Sequence, residues 1–186
     1  MRKIVPIIAI SAALALGACG PKAEKSADAA ANGIDNASLA LTPTPTAQEF
    51  IDKAAKSDAF EVAAGQLAKT NAASAAVKEF GQMMIDAHTK STAGLKKVAG
   101  GLSPALTPDP ALTDDQKDKL SDLGKLKGAD FDKKYIDGQV DAHEDALALM
   151  KKYAADGTEA KLKTAAQDTV AVVQAHLDRA KQIQGE

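Results

Sequence analysis

Cysteine, tryptophan and long apolar runs are scarce in this sequence. One cysteine and no tryptophan occur in 186 residues, and aromatic residues make up only 3% of the chain. A single thiol has no partner for an internal disulfide. The 23 basic and 25 acidic residues leave no basic excess, so nucleic-acid binding has no electrostatic support and no such partner is expected. Beyond residue 16, no segment is apolar enough to cross a membrane.

The N-terminus has the pattern of a bacterial export signal. Arg2 and Lys3 precede an apolar run over residues 4–16, which is too short to span a bilayer as a helix. Small residues then lead to Cys19, which resembles the lipobox of bacterial lipoproteins. The resemblance implies a signal peptide over residues 1–18 and acylation of Cys19, so that a lipid anchors the protein to a membrane. Within the same resemblance, Gly20 after the cysteine implies that this is the outer membrane. The alternative is an ordinary signal peptide with an incidental cysteine.

Residues 19–46 are predicted to be a flexible linker after the acylated cysteine. The stretch is rich in alanine, serine, asparagine, lysine and proline and has no sustained apolar period. It ends in two Thr-Pro pairs, which favour a stiff, extended spacer. Residues 47–186 have the size of one folded domain.

The folded part is predicted to be all-α. Apolar residues recur at steps of three and four, which predicts long helices at about 47–70, 74–99, 130–155 and 158–184 and a short helix at about 113–126. Thr46 and Thr113 each begin a capping box. Short turns make two antiparallel hairpins, and the long connection between them allows a return along the bundle. This predicts a ferritin-like four-helix bundle with one crossover; the competing topology is an up-down-up-down bundle with a decorated loop.

The only three histidines end three similar tetrapeptides. These are Ile-Asp-Ala-His at His88, Val-Asp-Ala-His at His143 and Val-Gln-Ala-His at His176. Each histidine lies three or four positions from apolar residues of its helix, so each is predicted to face the core. The aspartates two positions earlier, Asp86 and Asp141, lie about 200° away round the helix and are predicted to face solvent.

Three inward histidines permit a metal site between helices. Imidazole is a ligand for zinc, copper and iron, so a transition-metal ion is the candidate cofactor. Glu61 or Asp58 on the first helix could complete the site formed by His88, His143 and His176. The alternative is a plain core in which each ring bonds a neighbouring oxygen, because an unpaired buried polar group costs about 1–3 kcal/mol. A third interpretation is a pH-responsive core that loosens when the histidines are protonated.

Two features of the spacing argue against a metal site. No glutamate precedes a histidine by three positions, so the Glu-x-x-His motif of diiron bundles is absent. Counted from the turns, His88 and Glu61 differ by seven residues, roughly 10 Å along a helix. Asp58 is closer than Glu61 to the position of His88 along the bundle axis. His143 and His176 are also at unequal distances from the turn that joins their helices.

The order and spacing of several short motifs resemble the bacterial domain-of-unknown-function family 4142. The resemblance covers about residues 47–181 and implies an exported, ferritin-like bundle whose matching residues are Glu61, His88, His143 and His176; it implies no established activity. An intervening Ala87 departs from the family pattern, in which an acidic residue often directly precedes the histidine of the second helix. The motifs are Ala-Phe-Glu-Val at 59–62, Val-Lys-Glu-Phe at 77–80, Met-Ile-Asp-Ala-His at 84–88, Phe-Asp-Lys-Lys-Tyr at 131–135 with His143, and His-Leu at 176–177.

The sequence therefore favours a lipid-anchored, periplasmic helical-bundle protein that acts as a binding or structural module of the cell envelope. Its protein partner is not identified. The alternatives are a metal-binding protein that uses the inward histidines and a pH-responsive core. An enzyme is the less favoured interpretation, and no residue is assigned a catalytic role.

Overall fold

The computed structural model describes residues 43–185, which form five helices and no strand. The predicted signal peptide, Cys19 and all but the last four residues of the linker lie outside this range. The prediction of an all-α bundle is confirmed. The helices are α1 (Ala47–Asn71), α2 (Ala75–Gly100), α3 (Asp114–Lys125), α4 (Gly128–Asp156) and α5 (Ala160–Gln184).

Two hairpins, α1–α2 and α4–α5, pack side by side, with α1 against α4 and α2 against α5. The start of α4 lies at the α1–α2 turn, because the Asp132 carboxylate accepts hydrogen bonds from the N–H groups of Ala73 (3.1 Å) and Ser74 (2.8 Å). Helices α2 and α4 therefore begin at the same end and run parallel. The chain between them has returned along the bundle, with α3 packed on α1 and α4. This is the crossover topology of ferritin-like bundles rather than the up-down-up-down alternative.

The helix starts follow from local sequence. Thr46 and Thr113 form the expected capping boxes: each hydroxyl accepts from the backbone N–H three residues later, and that residue's side chain accepts from the threonine N–H. Two starts differ from the prediction by two residues. Helix α4 begins earlier, at Gly128, whose φ of 64° suits glycine. Helix α5 begins later, because Glu159 is still extended at φ −90° and ψ 111°.

Helices α1 and α2 approach each other closely at two glycines. A Cβ on Gly65 would lie 2.6 Å from the carbonyl oxygen of Gly81, and a Cβ on Gly81 would lie 2.6 Å from the Cβ of Ala68. This close approach brings the buried side chains of the first hairpin, including those of the site below, within contact distance. None of the five helices is both long and apolar enough to cross a membrane.

Candidate metal centre

The three histidines come together inside the bundle. The ring centroids of His88 on α2, His143 on α4 and His176 on α5 lie 5.5–5.9 Å apart. One ring nitrogen of each lies within 4.8 Å of a ring nitrogen of both others. His143 and His176 are 2% and 8% exposed, and the His88 side chain is 13% exposed. Three helices thus place three imidazoles around one point of the core.

The unequal residue counts from the turns do not keep His143 from His176 or Asp58 from His88. Every Cα–Cβ bond of a helix tilts towards the helix N-terminus. In the second hairpin, His143 therefore leans away from the turn and His176 leans towards it, which brings together two rings whose Cα positions are unequal. The same tilt acts in the first hairpin on Asp58 and His88. Counting Cα positions alone overestimates the separation for both pairs.

Asp58 holds the imidazole of His88 in place. The Nδ1 of His88 lies 2.8 Å from Oδ1 of Asp58, and the Thr92 hydroxyl donates to Oδ2 of the same carboxylate at 3.0 Å. Because a carboxylate accepts, Nδ1 carries the hydrogen. The other nitrogen, Nε2, is buried and has no partner among residues 43–185. A carboxylate behind one nitrogen and a free second nitrogen is the arrangement found at metal-ligating histidines.

His143 is oriented in the same way by a backbone carbonyl. Its Nδ1 donates to the carbonyl oxygen of Gln139 at 2.9 Å, which leaves Nε2 buried and unpaired within the described chain. His176 has a buried, unpaired Nδ1. The plain-core interpretation accounts for one nitrogen of His88 and one of His143. It leaves three buried nitrogens unpaired, each at a cost of about 1–3 kcal/mol.

Neither of the predicted carboxylates belongs to the group of three ligand nitrogens. Asp58 contacts the back of His88, as described above. Glu61, which is 1% exposed, accepts a hydrogen bond of 2.6 Å from Nε2 of Gln139. Burial raises the pKa of Glu61 above its usual value, against the opposing effects of His88 and Gln139. The outward positions of Asp86 and Asp141 are as expected, because both are exposed.

The electrostatics leave two of the rings neutral near pH 7. Burial lowers the pKa of His143 to about 4, and burial together with the neighbouring His143 and His88 lowers the pKa of His176 to about 4. Burial also acts to lower the pKa of His88, but the hydrogen bond to Asp58 and the charge of Glu61 outweigh it, so this pKa is raised. Neutral imidazole is the form that ligates metal, so metal binding competes with protonation of the three rings.

The spacing of the nitrogens is close to that of a bound ion. Three nitrogens at 2.0–2.1 Å from one ion lie about 3.3–3.6 Å from one another. The present separations of up to 4.8 Å would close by about 1.5 Å at most. A set of three imidazoles without a thiolate suits Zn²⁺, Cu²⁺ and iron.

Gln139 and Tyr135 are parts of the site that the sequence analysis did not identify. They are 1% and 2% exposed, and the side-chain oxygen of each is buried without a partner among the described residues. Gln139 lies one helical turn before His143, so its polar side chain occupies an inward position. A polar residue on a predicted core face is the signal that could have found it.

A cavity of about 710 Å³ reaches this site from the surface. In the core its lining includes His88, Glu61 and Gln139, and near the exposed surface of α3 it includes Lys119 and Asp122. The cavity therefore connects solvent with His88, the histidine that contacts Asp58.

Comparison with known proteins identifies a family. Residues 29–183 match the family model described as Domain of unknown function (DUF4142), a stretch that contains the three histidines, Asp58 and Glu61. No curated protein and no solved structure gives a significant match. The match covers well over half of the chain and confirms the resemblance carried by the short motifs. The chain therefore belongs to the domain-of-unknown-function family DUF4142.

Proposed function

We propose that this protein binds one transition-metal ion through His88, His143 and His176. The observation that carries the proposal is the meeting of three rings from three helices, one nitrogen of each lying within 4.8 Å of one nitrogen of both others. Each ring also has a buried nitrogen without a partner within residues 43–185. Their second nitrogens support it: Asp58 and a backbone carbonyl orient two of the rings as metal ligands are oriented. Zn²⁺, Cu²⁺ and Fe²⁺ are the ions whose preferences fit three imidazoles.

The ion would join the two hairpins. His88 belongs to α2, whereas His143 and His176 belong to α4 and α5. Ligands on both hairpins make binding favour the folded state, because an unfolded chain does not hold the three nitrogens together. At a free-ion concentration of 100 Kd this linkage stabilises the fold by about 2.7 kcal/mol.

Metal titration of the full chain, purified in detergent without a histidine tag, tests the proposal. We expect one ion per chain by elemental analysis and calorimetry, and a rise in Tm when metal is added. The triple variant His88→Ala, His143→Ala, His176→Ala should lose both effects. A double variant of the outward aspartates, Asp86→Ala and Asp141→Ala, is the matched control and should bind as the wild type does. Absence of binding, or equal binding by the triple variant, would refute the proposal.

We further propose that the bundle is held in the periplasm by a lipid on Cys19, at the outer membrane. The support lies in the sequence: a basic start, an apolar run over residues 4–16 and small residues before the only cysteine. In this proposal residues 20–46 act as the tether. The protein is then a metal-binding module of the cell envelope.

A further inference from the structure

The proposed centre leaves one coordination position for a ligand that the protein does not supply. Three protein ligands with a fourth position open are the arrangement of catalytic zinc sites, whereas structural zinc sites use four. Among residues 43–185, the group of nearby ligand atoms contains three histidines and no fourth donor. Asp58 and Glu61 are the nearest candidates, and both already have hydrogen-bond partners.

The cavity of about 710 Å³ gives access to this position. His88 lines its inner end, and exposed residues of α3 line its outer end. A cavity of this size holds several water molecules where its walls are polar. The cavity therefore extends from solvent to His88, whereas His143 and His176 do not line it.

Two residues that line the same cavity carry unpaired polar atoms. Gln139 and Tyr135 are 1% and 2% exposed, and the Oε1 of Gln139 and the hydroxyl of Tyr135 are buried without partners in the described part of the chain. Buried polar groups in native proteins nearly always have a partner, which can be ordered water. The inner end of the cavity therefore has two residues whose oxygens could each take one further hydrogen bond.

Glu61 is joined to the histidines through two short links. Gln139 accepts from His143 with its backbone oxygen and donates to Glu61 with its side chain, at 2.9 and 2.6 Å. Asp58, which contacts His88, precedes Glu61 by three positions on α1 and so lies on the same face. Glu61 thus lines the same cavity as His88 and is linked to His143 through Gln139.

From this arrangement we infer that the bound metal ion carries an exchangeable oxygen ligand, water or hydroxide, which enters through the cavity and donates a hydrogen bond to Glu61. The inference rests on the proposed metal binding and adds an open, reactive position to it. A small anion such as azide can replace the water. Azide has no hydrogen to donate, so the Glu61 carboxylate favours water and disfavours the anion.

Azide titration of the Co²⁺-loaded full chain tests the inference, because the visible bands of Co²⁺ respond to its ligands. We expect a saturable spectral change on addition of azide. If Co²⁺ binds but azide leaves the spectrum unchanged, the position is closed and only this inference fails. If no Co²⁺ binds to the three histidines, the proposed function and the inference fail together.

The variant Glu61→Gln tests the role of the carboxylate. It keeps the side-chain shape and removes the negative charge, so azide should bind about tenfold more tightly, while a misfolded site would bind azide more weakly. Glu144→Gln, at a glutamate that pairs with Lys181 on the surface, is the matched control and should leave azide binding unchanged. Unchanged azide affinity in a folded Glu61→Gln variant would overturn the assignment of Glu61.

Discussion

His143 and His176 are buried as neutral rings, and this makes the stability of the metal-free protein depend on pH. Both have a pKa of about 4 in the fold, against about 6.5 for a free histidine side chain. The unfolded chain therefore binds more protons than the fold between these values, so stability is complete above pH 6.5 and is lost as pH falls towards 4. We expect each of the two histidines to lower the free energy of unfolding by about 2 kcal/mol between pH 7 and pH 5.

Other buried groups at the site do not reverse this sign. The pKa of His88 is raised, so its contribution is complete below pH 6.5 and is lost only as pH rises through its folded pKa. Glu61 also has a raised pKa, so Glu61 and His88 both oppose the loss. The larger downward shifts of His143 and His176 keep the net change a loss. Urea unfolding at several pH values, with a chelator present, measures the effect. The double variant His143→Gln, His176→Gln should show a flatter profile, and a flat profile for the wild type would contradict the prediction.

The sequence predicted that the histidines face inward, but it could not predict which nitrogen of each ring is free of hydrogen bonds. Periodicity of three and four places His88, His143 and His176 on core faces, and in the structure the three rings meet, with His143 and His176 buried and His88 partly buried. Which nitrogen is free depends on partners far along the chain, since Asp58 lies 30 residues before His88. No sequence pattern near His88 indicates that Asp58 is its partner. Side-chain tilt, which residue counting ignores, then decides whether the rings meet.

At the level of the helices, the close contact of α1 and α2 depends on glycine. In Gly81→Ala, the new methyl group would meet the Cβ of Ala68 at 2.6 Å, and neither atom belongs to a flexible side chain. Overpacking of this kind costs about 1–3 kcal/mol, more than the roughly 1 kcal/mol that alanine gains over glycine in a helix. We therefore expect a net loss of stability, measured by urea unfolding, and weaker metal binding.

Gly94→Ala is the matched control in the same helix. Gly94 is exposed, and a Cβ there would meet no atom within 4 Å. This variant should gain about 0.5–1 kcal/mol from the lower entropy of the unfolded chain and better helix propensity. Equal effects of the two substitutions would show that the contact between α1 and α2 does not require Gly81.

The helices themselves were predictable, whereas their contacts were only partly so. Capping boxes at Thr46 and Thr113 set two helix starts from four-residue patterns, and the structure shows both. The start of α4 at Gly128 depends on a backbone conformation, φ 64°, that a helical period does not reveal. The contact at Gly81 joins residues on different helices, so periodicity within either helix cannot indicate it.

At the level of the whole molecule, the crossover is what places the three histidines at one height. Because the chain returns along the bundle, α2 and α4 start together at the Asp132 contact with Ser74. His88 lies 14 residues after Ser74, and His143 lies 11 residues after Asp132. Two short turns and one long connection predicted this topology, although the same loop lengths also allowed the up-down-up-down bundle with a decorated loop. An up-down-up-down chain would run α4 antiparallel to α2 and change the heights of its residues.

The proposed lipid anchor is Cys19, which lies outside the described residues. If the lipobox resemblance holds, several acyl chains at about 0.8 kcal/mol per buried CH₂ group give stable anchoring. We expect the full chain made in a Gram-negative bacterium to incorporate labelled palmitate and to fractionate with the outer membrane. Cys19→Ser should lose the label and the membrane association, because serine has no thiol to acylate, while Ala18→Gly, which keeps a small residue before the cysteine, should retain both. Label that persists in Cys19→Ser would place the lipid elsewhere, and a wild-type chain released without detergent would leave residues 1–18 as an ordinary signal peptide.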